Sequence, residues 1–189
     1  MATNIGQDLA HLARIKECSR ARALVDGLLF ENGFQAVLLY RVGYWFRSRR
    51  IPILGPLITR IAVFLTGAEI SPQADIGPGL YVSHGQALVI GGGARIGRNA
   101  FLLHQVTIGS PSRARLAEMP VIGDDVFIGA GAKLIGAIHI GDRCFIGANV
   151  VLTRDVPADS RVVASAEPVV SSRLRDGAES ESASSGDES

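Results

Sequence analysis

The chain has 189 residues, 47% of them hydrophobic, 20% charged and 6% aromatic, with a formal net charge of +1. That length fits one compact domain with an appendage, and the near-neutral total excludes the strong basic excess of a nucleic-acid binder. Two cysteines, Cys18 and Cys144, make neither a disulfide framework nor a zinc cluster, which points to a reducing cytoplasm. The polar start, MATNIGQDLAHLARIKECSR, has no apolar signal segment.

The first 60 residues hold nine Lys/Arg against four acids, a net of +5. They read as helical. Leu9, Leu12 and Ile15 recur at three-residue spacing, and Phe34, Val37, Leu38, Arg41, Val42 and Trp45 continue a period near 3.6. Pro52 and Pro56 interrupt the next apolar stretch, so a further helix is expected from about Gly55–Pro56. Each apolar run is too short to span a membrane, and Arg41 and Arg60 sit inside them. The expectation is a helical cap over residues 1–66, buried on the rest of the protein. Trp45 beside Arg47, Arg49 and Arg50 adds a second expectation, weak peripheral contact with an anionic membrane.

From Glu69 onward a six-residue period dominates. Ile122, Ile128, Leu134, Ile140, Ile146 and Leu152 keep strict step, with Gly at 123, 129, 141 and 147. Four positions after each aliphatic stands another small or apolar residue: Val126, Ala132, Ile138, Cys144, Val150 and Val156. Upstream, Ile70, Ile76, Val82 and Leu88 run in the same step, then slip by two residues to Ile90, Ile96, Leu102 and Ile108. A helix cannot keep a six-residue period on one face, and each glycine within it would cost about 1 kcal/mol. Short strands joined by tight turns can, three to a triangular coil, with stacked coils pairing parallel strands around a column of aliphatics. Residues 67–170 are therefore expected to form a parallel β-helix domain, in which 69–158, less the loop 109–121, supply about four turns. Cys144 falls at a core position of the repeat. The serine-rich stretch 171–189 closes with five acids and no base from Asp176 on, and is expected to be disordered.

The segment EISPQADIGPGLYVSHGQALVIGGGARIGRNAFLLHQVTIG, followed by PVIGDDVFIGAGAKLIGAIHIGDRCFIGANVVLTRDVP, resembles the bacterial serine acetyltransferases. It resembles equally the O-acetyltransferases of colanic-acid-type exopolysaccharide synthesis. GFQAVLLYRVGYWFRSRR is similar to the last helices of the serine acetyltransferase N-terminal domain. The resemblance implies a mainly β fold, a left-handed parallel β-helix preceded by a small α-helical region, assembled as a homotrimer.

Transfer of acetyl from acetyl-CoA to an alcohol needs a base for the hydroxyl proton, and a neutral imidazole suits that work near pH 7. His84 is the resemblance's base and Glu69, one layer away on a nearby edge, its orienting carboxylate. Gly129, Ala130, Gly147 and Ala148 match positions where small residues let the pantetheine arm approach the backbone. Lys133 and Arg154 are candidates for the CoA phosphates. The acceptor side departs from the family: Ser83 stands where an Asp precedes the base, and Glu118–Met119 where an Arg-His pair precedes the loop proline. Glu118 for an ammonium, with Arg113 or Arg115 for a carboxylate, would rebuild a pocket for an amino acid. The family's Gly-x-Pro-Ala stretch reads here as AlaSerAlaGluPro, residues 164–168.

The expectation is an O-acetyltransferase acting on a saccharide or other hydroxylated metabolite, with serine O-acetylation and a silent trimeric scaffold as alternatives. His104, two residues after Leu102 as His84 is after Val82, is read as a subunit contact. His84, His104 and His139 are too far apart in sequence for a zinc site of the γ-carbonic-anhydrase kind, so no metal is expected. The resembled enzymes bind the next enzyme of cysteine synthesis through a terminal Ile peptide; SerSerGlyAspGluSer lacks that signal, so no such complex is expected.

Overall fold

The computed structural model describes residues 2–51 and 53–164. Four helices come first: α1 (Ala2–Ile15), α2 (Arg20–Leu29), α3 (Asn32–Ser48) and α4 (Leu54–Thr66). Ser19 caps α2 by accepting from the Arg22 amide, and Gly67 ends α4 in the left-handed conformation at φ 72°. The helix α2 was not expected from periodicity. It turns Ala23 and Gly27 inward and leaves Leu24 and Leu28 exposed, so its large residues do not mark its packed face.

Strands of two or three residues come next, paired in parallel on three flat faces. Face A stacks Glu69–Ile70, Val89–Ile90, Thr107–Gly109, Lys133–Ile135 and Val151–Leu152. Face B stacks Asp75–Ile76, Arg95–Ile96, Val121–Ile122 and His139–Ile140. Face C stacks Tyr81–Val82, Phe101–Leu102, Phe127–Ile128, Phe145–Ile146 and Arg161–Val162. The chain therefore winds A to B to C and back, as the hexapeptide period requires. The second strand residue points inward, and every aliphatic of the repeat is buried, Cys144 among them. Each such side chain contributes roughly 1.5–3 kcal/mol of burial. The expectations for residues 165–170 and for the tail lie outside the described residues.

Outward from the core, Tyr81, Phe101, Phe127 and Phe145 form a ladder on face C, with successive ring centroids 4.7, 5.0 and 4.8 Å apart. The edge between faces B and C is tied by charge. Asp124 accepts from the Arg98 amide at 2.7 Å and from its guanidinium at 2.9 Å, and Arg143 meets Asp159 at 2.6 Å.

The cap is clamped to the first coil by a buried ion pair. Arg41 of α3 donates to Asp8 of α1 at 2.9 and 3.1 Å and to the carbonyls of Ile76 and Gly77 at 2.6 Å. Asp8 accepts in turn from the amides of Gly79 and Leu80 at 2.8 and 2.9 Å, and His11 reaches the Gly79 carbonyl at 2.5 Å. Tyr40 of α3 donates to the Ala74 carbonyl, and burial pushes its phenol well above the ordinary range.

Two outcomes are expected. Asp8→Ala strands a buried guanidinium, and denaturant unfolding should show a loss of about 3–5 kcal/mol. The Arg98 amide, then its side chain, hold the Asp124 carboxyl below its usual range, so its contribution is present above the unfolded pKa and is lost as pH falls through the folded one. At neutral pH Asp124→Asn should cost no more than the ~1 kcal/mol of an exposed pair. Thermal melts of the two proteins should converge only once the pH has fallen below the ordinary carboxylate range.

Candidate functional site

The edge between faces C and A gathers the residues with chemistry. Val82, Leu102, Ile128, Ile146 and Val162 lie in register on face C. Two residues beyond each, at the following edge, come His84, His104, Ala130, Ala148 and Ala164. Two imidazoles thus stand at the top of a line of alanines. With strands about 4.8 Å apart, the line from His84 to Ala164 runs roughly 19 Å.

The first coil is two residues longer here than those below. Val82 and Val89 bound the edge in the first coil, whereas Leu102 and Thr107 bound it in the second. The two-residue slip in the aliphatic repeat is this enlarged turn. It holds two left-handed residues, His84 at φ 57° and Ala87 at φ 56°, and leaves His84 exposed. Helix α3 packs directly above it. Asn32 accepts from the Gly85 amide at 3.2 Å and donates to the Thr66 carbonyl at 3.5 Å, and a Cβ on Gly33 would collide with the Val82 carbonyl. Only glycine lets the first turn of α3 approach so closely.

Glu69 lies across the same turn. A Cβ on Gly85, the residue after His84, would sit 3.5 Å from the Cβ of Ala68, the residue before Glu69. The Glu69 side chain points outward from face A. It makes no hydrogen bond or ion pair with His84 among the described residues.

His104, read from sequence as a subunit contact, stands one coil below His84 with ring centroids 6.4 Å apart and planes at 73°. Its Nδ1 is buried and has no hydrogen-bond partner among the described residues. A buried polar atom left without a partner is costly, and where it persists it asks for an explanation. The signal available in sequence was the shared offset from Val82 and Leu102.

Below the histidines the edge is narrow. A Cβ on Gly129 would lie 2.6 Å from the Ala148 amide nitrogen, and one on Gly147 would lie 3.2 Å from the Val162 carbonyl. Coil stacking itself requires glycine at 129 and leaves only tight room for a side chain at 147. Ala130 and Ala148 are the outward residues that keep the groove open. Lys133 donates to the Gln105 carbonyl at 2.5 Å, which fixes its ammonium beside the middle of the edge. At the lower end Asn149, Thr153, Arg154, Val163 and Ala164 line a cavity of about 410 Å³.

The remaining candidates are divided. Ser83 is on the histidine edge, its amide bonded to the Leu102 carbonyl at 2.9 Å. Arg113, Arg115, Glu118 and Met119 sit in the loop between Gly109 of face A and Val121 of face B, at a different edge. Arg115 pairs with Glu118 at 3.3 Å, and a Cβ on Gly91 would meet Met119 Cε at 2.5 Å. Within one chain, the structure does not bring this loop to His84. Among the described residues, no three His, Cys, Asp or Glu side chains cluster as a metal site.

The bacterial transferase hexapeptide (six repeats) family matches residues 119–154. The chain is 37% identical over 151 residues to a serine acetyltransferase of Helicobacter pylori, covering 80% of this chain and 88% of that one. It is 38% identical over 143 residues to a serine acetyltransferase of Synechococcus elongatus, covering 76% of this chain but only 59% of the longer relative. Among solved structures, Neisseria gonorrhoeae serine acetyltransferase in complex with serine aligns with a TM-score of 0.78 at 30% identity, over 88% of this chain and 68% of that one. Serine acetyltransferase of Brucella abortus in complex with coenzyme A aligns with a TM-score of 0.77 at 28% identity, over 86% and 65% respectively.

Proposed function

We propose that this chain, which belongs to the serine acetyltransferase family, moves acetyl from acetyl-CoA to the hydroxyl of L-serine on a left-handed parallel β-helix in the cytoplasm. The observation that carries the reading is the single edge with His84 and His104 above Ala130 and Ala148. The edge fits the donor: side chains no larger than alanine leave a groove beside the backbone, and Arg154 stands near its far end to meet phosphate. When bound, acetyl-CoA supplies the acetyl group as a thioester. His84, exposed on its enlarged turn, takes the proton of the attacking hydroxyl and returns it to the departing thiol. Glu69, across the turn, is placed to stabilise the imidazolium once a substrate draws the two together. His104 offers a second ring to the same reacting group.

The saccharide acceptor expected from sequence gives way to serine, because the relatives found are serine acetyltransferases, one of them solved with serine. A zwitterion needs one group of each charge, and the loop carries Glu118 with Arg113 and Arg115. One observation favours a second reading. Ser83 puts a neutral hydroxyl beside the base, which suits an acceptor without an ammonium group.

The loop and the histidines occupy different edges, so a complete site requires a second copy. A cyclic homotrimer, in which the loop of one chain reaches the histidine edge of the next, supplies it.

Thiol release from acetyl-CoA tests the chemistry. His84→Ala should lower kcat by about 10²–10⁴, and L-serine should outperform a panel of sugars and amino alcohols. Turnover confined to another alcohol would establish the second reading; silence with no acetyl-CoA binding would leave the scaffold. Subunit mixing tests the assembly. Chains carrying His84→Ala and chains carrying Arg113→Ala, Arg115→Ala and Glu118→Ala should each be inactive alone, yet regain turnover when unfolded and refolded together. Continued inactivity of the mixed oligomer would place both halves of the site within one chain.

A further inference from the structure

Helix α4 packs on α3 and the first coil through Gly55, Ala62 and Thr66, all buried. Its opposite side carries Leu57, Ile61, Phe64 and Leu65, the i, i+4, i+7, i+8 pattern of a helical stripe, and every one is exposed. Phe64 is 89% exposed, and Ile53, just before the helix, is 75% exposed. An apolar stripe of this kind normally has an occupant.

The charge around it says which. From Asn32 to Ala68 the chain contains no Asp or Glu. Arg47, Arg49, Arg50 and Arg60 make no ion pair among the described residues. Arg49 lies over the Trp45 ring at 5.3 Å, and Arg47 and Arg50, with Ile51 and Pro56, line a cavity of about 310 Å³ at the turn between α3 and α4. A second copy seated on this stripe about a twofold axis would set four arginines against four more with no carboxylate between them. The acidic residues after Asp176 have the right charge, but that stretch has no side chain larger than alanine among its apolar residues to cover Phe64. A partner must be anionic and apolar at once.

We propose that the outward stripe of α4 and the arginines at the α3–α4 turn dock the protein on the surface of an anionic lipid bilayer. Helix α4 lies in the plane of the interface, with Leu57, Ile61, Phe64 and Leu65 among the upper acyl chains and the arginines at the phosphates. With 13 residues it is too short to cross, and no described helix is long and apolar enough to do so. The cavity beside Arg47 and Arg50 gives one lipid phosphate a seat next to the apolar stripe. The C-terminal end of α4 adjoins the enlarged turn, where Gly67 accepts from the Ala87 amide at 2.9 Å, but no residue of the stripe or of the arginine cluster belongs to the candidate site, and the proposal is independent of the acetyl-transfer reading.

Flotation of the full chain with vesicles tests it, comparing phosphatidylcholine alone with phosphatidylcholine containing one-third phosphatidylglycerol, at low and at half-molar salt. Binding is expected to the anionic vesicles only, and to be lost at high salt. Arg47→Glu with Arg50→Glu should lower partitioning by about fivefold or more for each arginine. Phe64→Ser, which leaves the charge unchanged, should lower it by about tenfold. Neither variant should alter the melting temperature or the turnover of acetyl-CoA. No binding to anionic vesicles at low salt, or equal binding to neutral ones, would overturn the proposal. So would a solution mass that Phe64→Ser reduces while no vesicle is bound, since a second copy would then cover the stripe.

Discussion

Vertical register between coils is the constraint on which everything else rests. Strands of two residues hold almost nothing by themselves. Their stability comes from each inward aliphatic lying over the one in the coil above, and from backbone bonds that only this stacking permits, such as Phe101 to Val126 and Phe127 to Cys144, both at 2.9 Å. A one-residue slip would turn an entire face inside out. Register therefore fixes more than the core: whatever stands two residues past a face C aliphatic must lie on the same edge as its counterparts. Two imidazoles and three alanines fall in line because Val82, Leu102, Ile128, Ile146 and Val162 do.

The top coil has no coil above it, and the helices replace that missing neighbour. Asp8 and Arg41 together bond to the backbone of residues 76, 77, 79 and 80, just ahead of the strand that leads to His84. An ion pair buried this deeply is no great source of net stability compared with a well-packed apolar pair. What it adds is geometry: Arg41 satisfies carbonyls and Asp8 satisfies amides that a stacked coil would otherwise have met. Asn32 and Gly33 do the same for the enlarged turn. The cap is thus joined to the site through backbone hydrogen bonds.

The coil was legible because its physical cause is local and repeated: an inward aliphatic every six residues, with a tight turn between. Even the two-residue slip before Ile90 was visible, although its meaning, an enlarged turn that lifts His84 into solvent, needed the stacked neighbours. Helix α2 was illegible because it packs through Ala23 and Gly27 and exposes its leucines, the reverse of the pattern sought. The Asp8–Arg41 clamp joins residues 33 apart, with no periodicity to betray it. His104 carried the same offset as His84, yet sequence alone could not say that consecutive coils bring those two rings within 6.4 Å.

Separating the histidine edge from the loop edge has a consequence for specificity. The proposed base and the proposed donor groove are built from the repeat, where changes disturb stacking: a side chain at Gly129 meets the backbone of Ala148, and one at Gly147 is tight against that of Val162. The loop from Ser110 to Pro120 lies outside the stacked strands, with Arg113 and Arg115 exposed on it and Glu118 half-buried. Substitutions at its exposed arginines leave the core untouched. Of the departures from the resembled pattern, Glu118 stands at the end of this loop, while Met119 already packs against the core beside Gly91; His84, Ala130 and Ala148 occupy positions that the stacked edge holds in place. Ser83 is the exception, a departure on the rigid edge itself, with its amide already bonded to the coil below. A change at that position cannot be absorbed by loop movement. It alters the polarity beside the proposed base directly, so under the proposed function an acceptor's contact with residue 83 would be set by the side chain alone, while its charged groups would meet a loop that can adjust to them.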